Sequence, residues 1–460
     1  MTIVSTNPAT GGELSQHTPH SDTAVEAILN AAAKAQAEWR RRPIGERVPL
    51  LRSMARVLRD NRDEYARLIT AEMGKPVREA LTEIDKCALT CDYYAESAAT
   101  HLADRPVPSD ATDSSVVYDP LGVVLAIMPW NYPFWQFFRF AAPALAAGNA
   151  ALLKHANNVP QCALAVEDVL RKAGAPEGLC STLLIGVGQV AGLIADPRVA
   201  AVTLTGSTQV GAVVASQAAA QLKKQVLELG GSDPFIVLAD ADVELAAATA
   251  VKARFVNNGQ SCVNAKRFIV EDAVADEFSR LFTEHTAALV VGDPANPATD
   301  LGPLARADLR TTLHGQVVRS LTEGAKLLLG GELPNGKGYF YPPTILDHVT
   351  PGTAAFDEET FGPLAAITRV PNADTALALA NQTEYGLGAA LWTTDLERAH
   401  ALARQLDAGA VFINGMVASD PRLPFGGIKK SGYGRELGAE GIREFVNTKT
   451  VWVGPKTDAA

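Results

Sequence analysis

Val123-Val124-Leu125-Ala126-Ile127 opens a series of short apolar runs that sets the fold class. Ala150-Ala151-Leu152-Leu153-Lys154, Thr182-Leu183-Leu184-Ile185 and Ala200-Ala201-Val202-Thr203-Leu204 continue it. Runs this short, rich in aliphatic residues and bounded by turn residues, read as buried strands. Stretches with helical spacing separate them, at 139–148, 160–173 and 188–195. Alternation of strand and helix predicts an α/β fold with a doubly wound parallel sheet, whose ligands sit at the carboxyl ends of the strands. A second alternating series runs from about Pro234 to Val411, with Phe268-Ile269-Val270 and Ala410-Val411-Phe412-Ile413 as its clearest strands. Two α/β domains are therefore predicted.

Outward from this core, the first hundred residues read as helices. After Ser21-Asp22, a good N-cap, Val25, Ile28, Leu29, Ala32, Ala35 and Trp39 recur on one helical face. A second helix is expected from about Glu46 through Leu58, and a third from Pro76 to about Leu102. The units predicted are 1–103 with 120–230, then 231–435. The segments 104–119 and 436–460 hold Val116-Val117-Tyr118 and Lys449-Thr450-Val451-Trp452-Val453, which read as edge strands outside both units. Exposed strand edges seek partners, so a small oligomerisation β-flap and a homodimer or homotetramer are expected. The tail Pro455 to Ala460 is expected to be disordered.

Composition narrows the function classes. A net charge of -10 over 460 residues argues against nucleic-acid binding, which needs a basic face. The longest apolar stretch, Phe140 to Leu153, is about fourteen residues and is broken by Pro143, Gly148 and Asn149, so no membrane span is expected. The first residues, Met1-Thr2-Ile3-Val4, have neither the basic nor the apolar region of a signal peptide. The cysteines Cys87, Cys91, Cys162, Cys180 and Cys262 are odd in number and irregularly spaced, which fits a reducing cytoplasm rather than a disulfide framework. Cys87 and Cys91 lie four apart on a helix with no second pair to complete a zinc site, so no metal is expected.

Two segments follow strands and open helices in the manner of a phosphate cradle. Thr205-Gly206-Ser207-Thr208-Gln209-Val210-Gly211 would aim backbone N–H groups and a helix dipole at an anion. Gly186-Val187-Gly188-Gln189-Val190-Ala191-Gly192 fits the dinucleotide spacing better but ranks second, as a tight turn. A lone cysteine in a polar, glycine-containing loop, Asn257-Asn258-Gly259-Gln260-Ser261-Cys262, is a candidate nucleophile.

Pro129-Trp130-Asn131-Tyr132-Pro133, Leu227-Glu228-Leu229-Gly230-Gly231, the Cys262 loop, Glu359-Thr360-Phe361-Gly362-Pro363 and Pro424-Phe425-Gly426-Gly427 follow one another along the chain. In this order and spacing they resemble the aldehyde dehydrogenase superfamily, from Asn7-Pro8-Ala9-Thr10-Gly11 to the terminal strand. The resemblance implies a cofactor-binding unit followed by a catalytic unit. It makes Cys262 the nucleophile, Glu228 the base that activates water for thioester hydrolysis, and Asn131 an oxyanion donor beside the Cys262 backbone N–H. Leu227 and Leu229 would raise the pKa of Glu228. It further implies Trp130 beside the cofactor, Glu359 on the nicotinamide ribose, Phe361 against the ring, Thr205, Gly206 and Ser207 at the pyrophosphate, and Lys154 at the adenine ribose.

Cofactor choice departs from the common pattern. Relatives preferring NAD carry a glutamate where this chain has Asn157, in Lys154-His155-Ala156-Asn157. A neutral Asn157 removes the charge that would repel a 2′-phosphate, which admits both cofactors and mildly favours NADP. Arg139, eight residues after Asn131, offers a fork for a carboxylate, and Ser419 a second donor from the opposite wall. The stretch resembles the compact succinate-semialdehyde dehydrogenases of bacteria, which implies oxidation of succinate semialdehyde to succinate. Another small aldehyde, with Arg139 structural, is the alternative. Glu228 speaks against a coenzyme-A-acylating enzyme. No histidine motif supports a cysteine hydrolase, and intact Cys262, Glu228 and Asn131 oppose a purely structural protein.

Overall fold

The structure, a computed structural model, describes residues 2–454. Its centre is a six-stranded sheet in the spatial order Gly432–Tyr433, Lys224–Glu228, Val199–Thr205, Val123–Met128, Ala150–His155, Cys180–Thr182. All neighbours are parallel except the first pair. The chain starts at Val123–Met128, winds outward through Ala150–His155 and Cys180–Thr182, then crosses back to Val199–Thr205 on the other side. The doubly wound arrangement expected from the sequence is thus present, with its switch point between Val123–Met128 and Val199–Thr205. The run Thr182 to Ile185 is mostly not strand: pairing stops at Thr182.

A second sheet has seven strands, in the order Lys326–Leu329, Thr344–Asp347, Leu364–Val370, Ala265–Glu271, Asp233–Val237, Gly388–Trp392, Ala410–Ile413. Only the edge strand Lys326–Leu329 runs antiparallel. Phe235, Phe268, Phe278 and Phe282 fill its interior with close ring contacts, Phe268 and Phe282 at 4.8 Å between centroids.

The N-terminal helices cover the first sheet. Asp22–Trp39 begins where Ser21 accepts a hydrogen bond from the Ala24 N–H at 3.2 Å. It ends with Trp39 buried and its indole N–H donating to the Leu145 carbonyl at 2.8 Å. Helices Ile44–Asp60 and Val77–His101 match expectation, but a further helix, Arg62–Met73, lies between them. Only Asn61 separates it from the preceding helix, and no proline or glycine falls between Pro49 and Gly74 to mark the division. Helix Trp135–Ala147 starts four residues earlier than its apolar pattern suggested and is buried along its whole length.

The segments placed outside both units form one antiparallel sheet, Val446–Val453 against Asp113–Pro120 against Arg105–Pro106. The two long strands take each other as partners, in register from Val446 opposite Pro120 to Val453 opposite Asp113. Val451, Trp452 and Val453 remain exposed on it. The tail Pro455 to Ala460 lies outside the described residues. One crossing bears directly on the site: Gly432–Tyr433, within the stretch read as part of the second unit, returns to the first sheet and pairs with Glu228 and Leu227.

Candidate active site

Three adjacent strands deliver their carboxyl ends to one place. Val123–Met128 leads into Trp130 and Asn131, Val199–Thr205 into Gly206 and Ser207, and Lys224–Glu228 ends on the base candidate itself. The Cys262 loop approaches from the second sheet, between helix Val243–Phe255 and strand Ala265–Glu271.

That loop is polar for a reason the sequence did not reveal. Asn257, Asn258 and Gln260 are fully buried rather than solvated. Asn257 and Asn258 stand at φ 58° and 56°, left-handed conformations in which asparagine is among the tolerated residues. Their amides then stitch the turn to its surroundings. Asn257 Nδ2 donates to the Asn131 and Gln260 carbonyls at 2.9 Å each, and Asn258 Nδ2 to the Gly74 and Pro303 carbonyls at 2.9 Å. Gln260 Oε1 accepts from the Ala305 N–H at 2.9 Å. Asn131 Nδ2 donates to the Gln260 carbonyl at 3.1 Å, so the oxyanion candidate is anchored to the nucleophile loop and keeps a second N–H free. Buried Lys266 closes the far side, with Nζ donating to the Cys262 carbonyl at 2.8 Å and lying 3.9 Å from Glu359.

Cys262 is partly exposed, whereas the other four cysteines are buried. Burial pushes its thiol up to about 12, Arg139 and Lys266 pull it down, and Glu228 and Glu359 oppose them. The resting group is therefore the neutral thiol. Glu228 is 2% exposed, and neither carboxyl oxygen has a hydrogen-bond partner among the described residues. Burial, and secondly the charge of Glu436, hold it well above the ordinary carboxylate range. The elevation expected from Leu227 and Leu229 is present, with a neighbouring acid as an added cause.

The Leu-Glu-Leu-Gly-Gly motif acquires a steric meaning. A side chain at Gly230 would place Cβ 2.6 Å from Glu359 Oε2, and one at Gly231 would place it 2.6 Å from the Cys262 carbonyl oxygen. Both glycines let three functional segments close on one another. Gly231 N–H also donates to Glu359 Oε1 at 3.0 Å.

The residues assigned to the cofactor line up along the same edge. Trp130 and Phe361 meet edge to face, centroids 5.8 Å apart. Ser207 caps helix Thr208–Ala220, its hydroxyl accepting from the Val210 N–H, so Thr205, Gly206 and Ser207 stand at a helix N-terminus suited to an anion. At the next strand end Lys154 Nζ donates to Asn157 Oδ1 at 2.9 Å and to the His155 carbonyl at 2.7 Å, with no carboxylate partner among the described residues. Burial lowers its pKa to about 8. His155 is buried and neutral, lowered to about 4 by burial; its Nδ1 accepts from Ala156 N–H, so Nε2–H donates to the Pro133 carbonyl at 2.9 Å. An edge-to-face aromatic pair, a helix N-terminus and a cation without a carboxylate partner among the described residues suit the nicotinamide, pyrophosphate and ribose-phosphate parts of NAD(P) respectively.

A cavity of about 660 Å³ opens from Cys262 between helices Val77–His101 and Trp135–Ala147 and the loop 416–425. Tyr132, Trp135, Arg139, Ser419 and Phe425 line it. Arg139 is buried and largely committed: it forms an ion pair with Glu436, stacks 4.8 Å over the Phe425 ring, and donates from Nη2 to Thr205 Oγ1 at 3.3 Å. Ser419 lies in the same cavity but accepts from Lys86 Nζ at 2.7 Å. Arg139 and Ser419 therefore share the cavity without sharing a partner.

Sequence reading missed Glu436, Lys86, Lys266 and Glu79. Glu79 accepts from the Asn257 N–H at 2.6 Å, lines the cavity, and is pushed up to about 7 by burial. A single charge on a helix or beside a glycine ordinarily reads as solvated surface. Glu436 had the one usable signal, an acid inside the glycine-rich return that carries Pro424-Phe425-Gly426-Gly427.

Residues 1–451 match the aldehyde dehydrogenase family, and the chain belongs to it. It is similar to the succinate semialdehyde dehydrogenase (NAD(P)+) Sad of Escherichia coli K12, 49% identical over 98% of this chain and 97% of that one. A Synechocystis protein named as a probable succinate-semialdehyde dehydrogenase (NADP+) is 52% identical over 98% of this chain and all of that one. Among solved structures, succinic semialdehyde dehydrogenase from Streptococcus pyogenes in complex with NADP+ superposes with a TM-score of 0.96, at 38% identity, covering 98% of this chain and 100% of that chain.

Proposed function

We propose that this enzyme oxidises succinate semialdehyde: succinate semialdehyde + NAD(P)+ + water → succinate + NAD(P)H. The observation that carries the reading is one cavity that joins a cysteine nucleophile to cationic and hydroxyl groups, in a chain that shares about half its residues with relatives named for this reaction. The six-stranded unit would carry the cofactor along Trp130, Lys154, Asn157, Thr205, Gly206 and Ser207, and the seven-stranded unit brings Glu359, Phe361 and Cys262 to it. Bound there, NAD(P)+ supplies the acceptor for the hydride that the substrate carbon gives up.

The protein's own groups do the rest. The partly exposed Cys262 thiol releases its proton to solvent, the thiolate sulfur attacks the aldehyde carbon as the C=O π bond opens onto oxygen, and that charged oxygen meets the free N–H of Asn131 Nδ2 and the Cys262 backbone N–H, each donor worth about 3 kcal/mol. Arg139 and Lys266 favour ionisation of the thiol. Loss of hydride leaves a thioester on Cys262, and Glu228 takes a proton from the water that cleaves it. The Arg139–Glu436 pair is the specific observation behind a second reading, in which Arg139 is structural and the aldehyde is a different small one. Exposed Trp452 on a sheet edge supports assembly into a homodimer or homotetramer, and five unpaired cysteines support a reducing, cytoplasmic setting.

The test is the appearance of NAD(P)H with succinate semialdehyde and with butanal, each with both cofactors. A kcat/KM that favours succinate semialdehyde at least tenfold supports the reading, and parity between the aldehydes removes it.

A further inference from the structure

The cavity contains one cation that nothing yet described employs. Lys86 lies on the inner face of helix Val77–His101, half-buried, with its ammonium 4.3 Å above the Trp135 ring and 2.7 Å from Ser419 Oγ. The other inward cations carry carboxylate partners. Arg139 is paired with Glu436, Lys75 with Glu83, and Arg78 at the mouth with Asp300 at 2.6 Å. Lys252 is exposed on the rim. Lys86 has no ion pair among the described residues. Two acids whose charges act on it are occupied: Glu83 accepts from the Phe134 and Trp135 N–H groups and from Lys75, and Asp420 is held by Arg422.

We infer that Lys86 and Ser419 together hold the distal carboxylate of the substrate, with Lys86 as the specificity-determining charge. This rests on the reading of the substrate as succinate semialdehyde. A cation half-sunk against apolar walls is costly without an anion, and an arriving carboxylate supplies one. The hydrogen-bond chemistry is complementary. Ser419 Oγ accepts from Lys86 at present, so its own O–H remains available to donate, and the ammonium has further N–H groups. The pair thus offers two donors to one carboxylate. The Trp135 face holds the ammonium in place through its ring quadrupole. Arg139 lines the same cavity, with its guanidinium engaged by Glu436 and Thr205.

The experiment compares wild type, Lys86→Met, Lys86→Arg and Ser419→Ala for kcat/KM on succinate semialdehyde and on butanal, with inhibition by succinate as a binding readout independent of chemistry. Turnover of butanal reports that each variant is folded. For Lys86→Met the ratio of the two kcat/KM values is expected to fall about ten- to a hundredfold, chiefly through KM, as for loss of a charge-assisted contact. The inhibition constant for succinate should rise in step. Lys86→Arg should recover most of the ratio, and Ser419→Ala should lose less than Lys86→Met. A ratio for Lys86→Met within about threefold of wild type, or an equal loss for Met and Arg, overturns the assignment of Lys86. A wild-type ratio near one overturns the substrate reading instead, so the two failures are distinguishable.

Discussion

Lys154 donates to Asn157 Oδ1 at 2.9 Å, an amide acceptor that leaves the ammonium without a carboxylate partner among the described residues. The ammonium consequently keeps its charge available to an incoming phosphate, and burial makes that charge expensive to leave unanswered.

Asn157→Glu should move preference toward NAD. The new carboxylate would take Lys154 as partner, gain hydrogen bonds from ribose hydroxyls and repel a 2′-phosphate, a change of roughly 1–3 kcal/mol. The ratio of kcat/KM for NADP to that for NAD should fall about five- to a hundredfold. An unchanged ratio would mean the adenosine end is held elsewhere.

Cys262→Ala should abolish dehydrogenase turnover while cofactor affinity and melting temperature stay near wild type. The loop is held by Asn257, Asn258 and Gln260, none of which depends on the thiol. Calorimetric titration with NADP and a thermal melt check the second half. Activity above about a thousandth of wild type would remove Cys262 as nucleophile.

How much of this was legible in advance differs by kind of residue. Cys262, Glu228 and Asn131 were legible as candidates because each sits in a motif whose neighbours are glycines, prolines or amides with few other reasons to recur together. The strands from Val123 and Val199 were readable because short aliphatic runs between helical stretches have one common explanation. Lys86 and Glu436 were not. Their roles come from what faces them across the fold, Ser419 and Trp135 in one case and Arg139 and Glu228 in the other, contacts between residues far apart in the chain. Arg139 was read as a fork for a carboxylate, and the acid engaging it in the structure is Glu436.

Glu228→Gln should slow deacylation more than hydride transfer. Rapid mixing should give a burst of NAD(P)H followed by a slow steady state; a uniformly slow trace would count against Glu228 as base. Because Glu228 is buried with no hydrogen-bond partner and beside Glu436, removing its titratable group should leave the melting temperature unchanged or raise it.

Arg139→Leu should depress turnover of both aldehydes and lower stability, because it strands Glu436 without a counter-charge; breaking a buried pair costs about 3–5 kcal/mol. Arg139→Leu with Glu436→Gln should recover stability beyond the sum of the single changes. Whatever selective loss on succinate semialdehyde persists in the double variant measures the share of Arg139 in substrate binding. Additive melting temperatures would show that the pair is not coupled.

Selectivity for the acid-bearing aldehyde should decline at alkaline pH. Lys86 is lowered to about 8 by burial and then by Arg139 on the facing helix, against the opposing effects of Cys87 and Glu83 on its own helix and Asp420 on the loop. It is charged below that value and neutral above it. The ratio of kcat/KM for succinate semialdehyde to that for butanal, which reports the free enzyme, should fall as pH rises through about 8. In Lys86→Arg the fall should vanish, and a flat profile in wild type would count against a charged Lys86 contact.

The return of Gly432–Tyr433 to the strand bearing Glu228 has a temporal side. Phe425, Gly426 and Glu436, which surround the base and Arg139, all follow residue 420, whereas Cys262 and Asn131 are made far earlier. A ribosome emitting this chain has therefore released both sheets almost entirely before the pocket around Glu228 can close. Until then that strand keeps an open edge, and the nascent protein carries a thiol with no finished apparatus to use it. The pocket around Glu228 is thus completed later than the sheet that bears it.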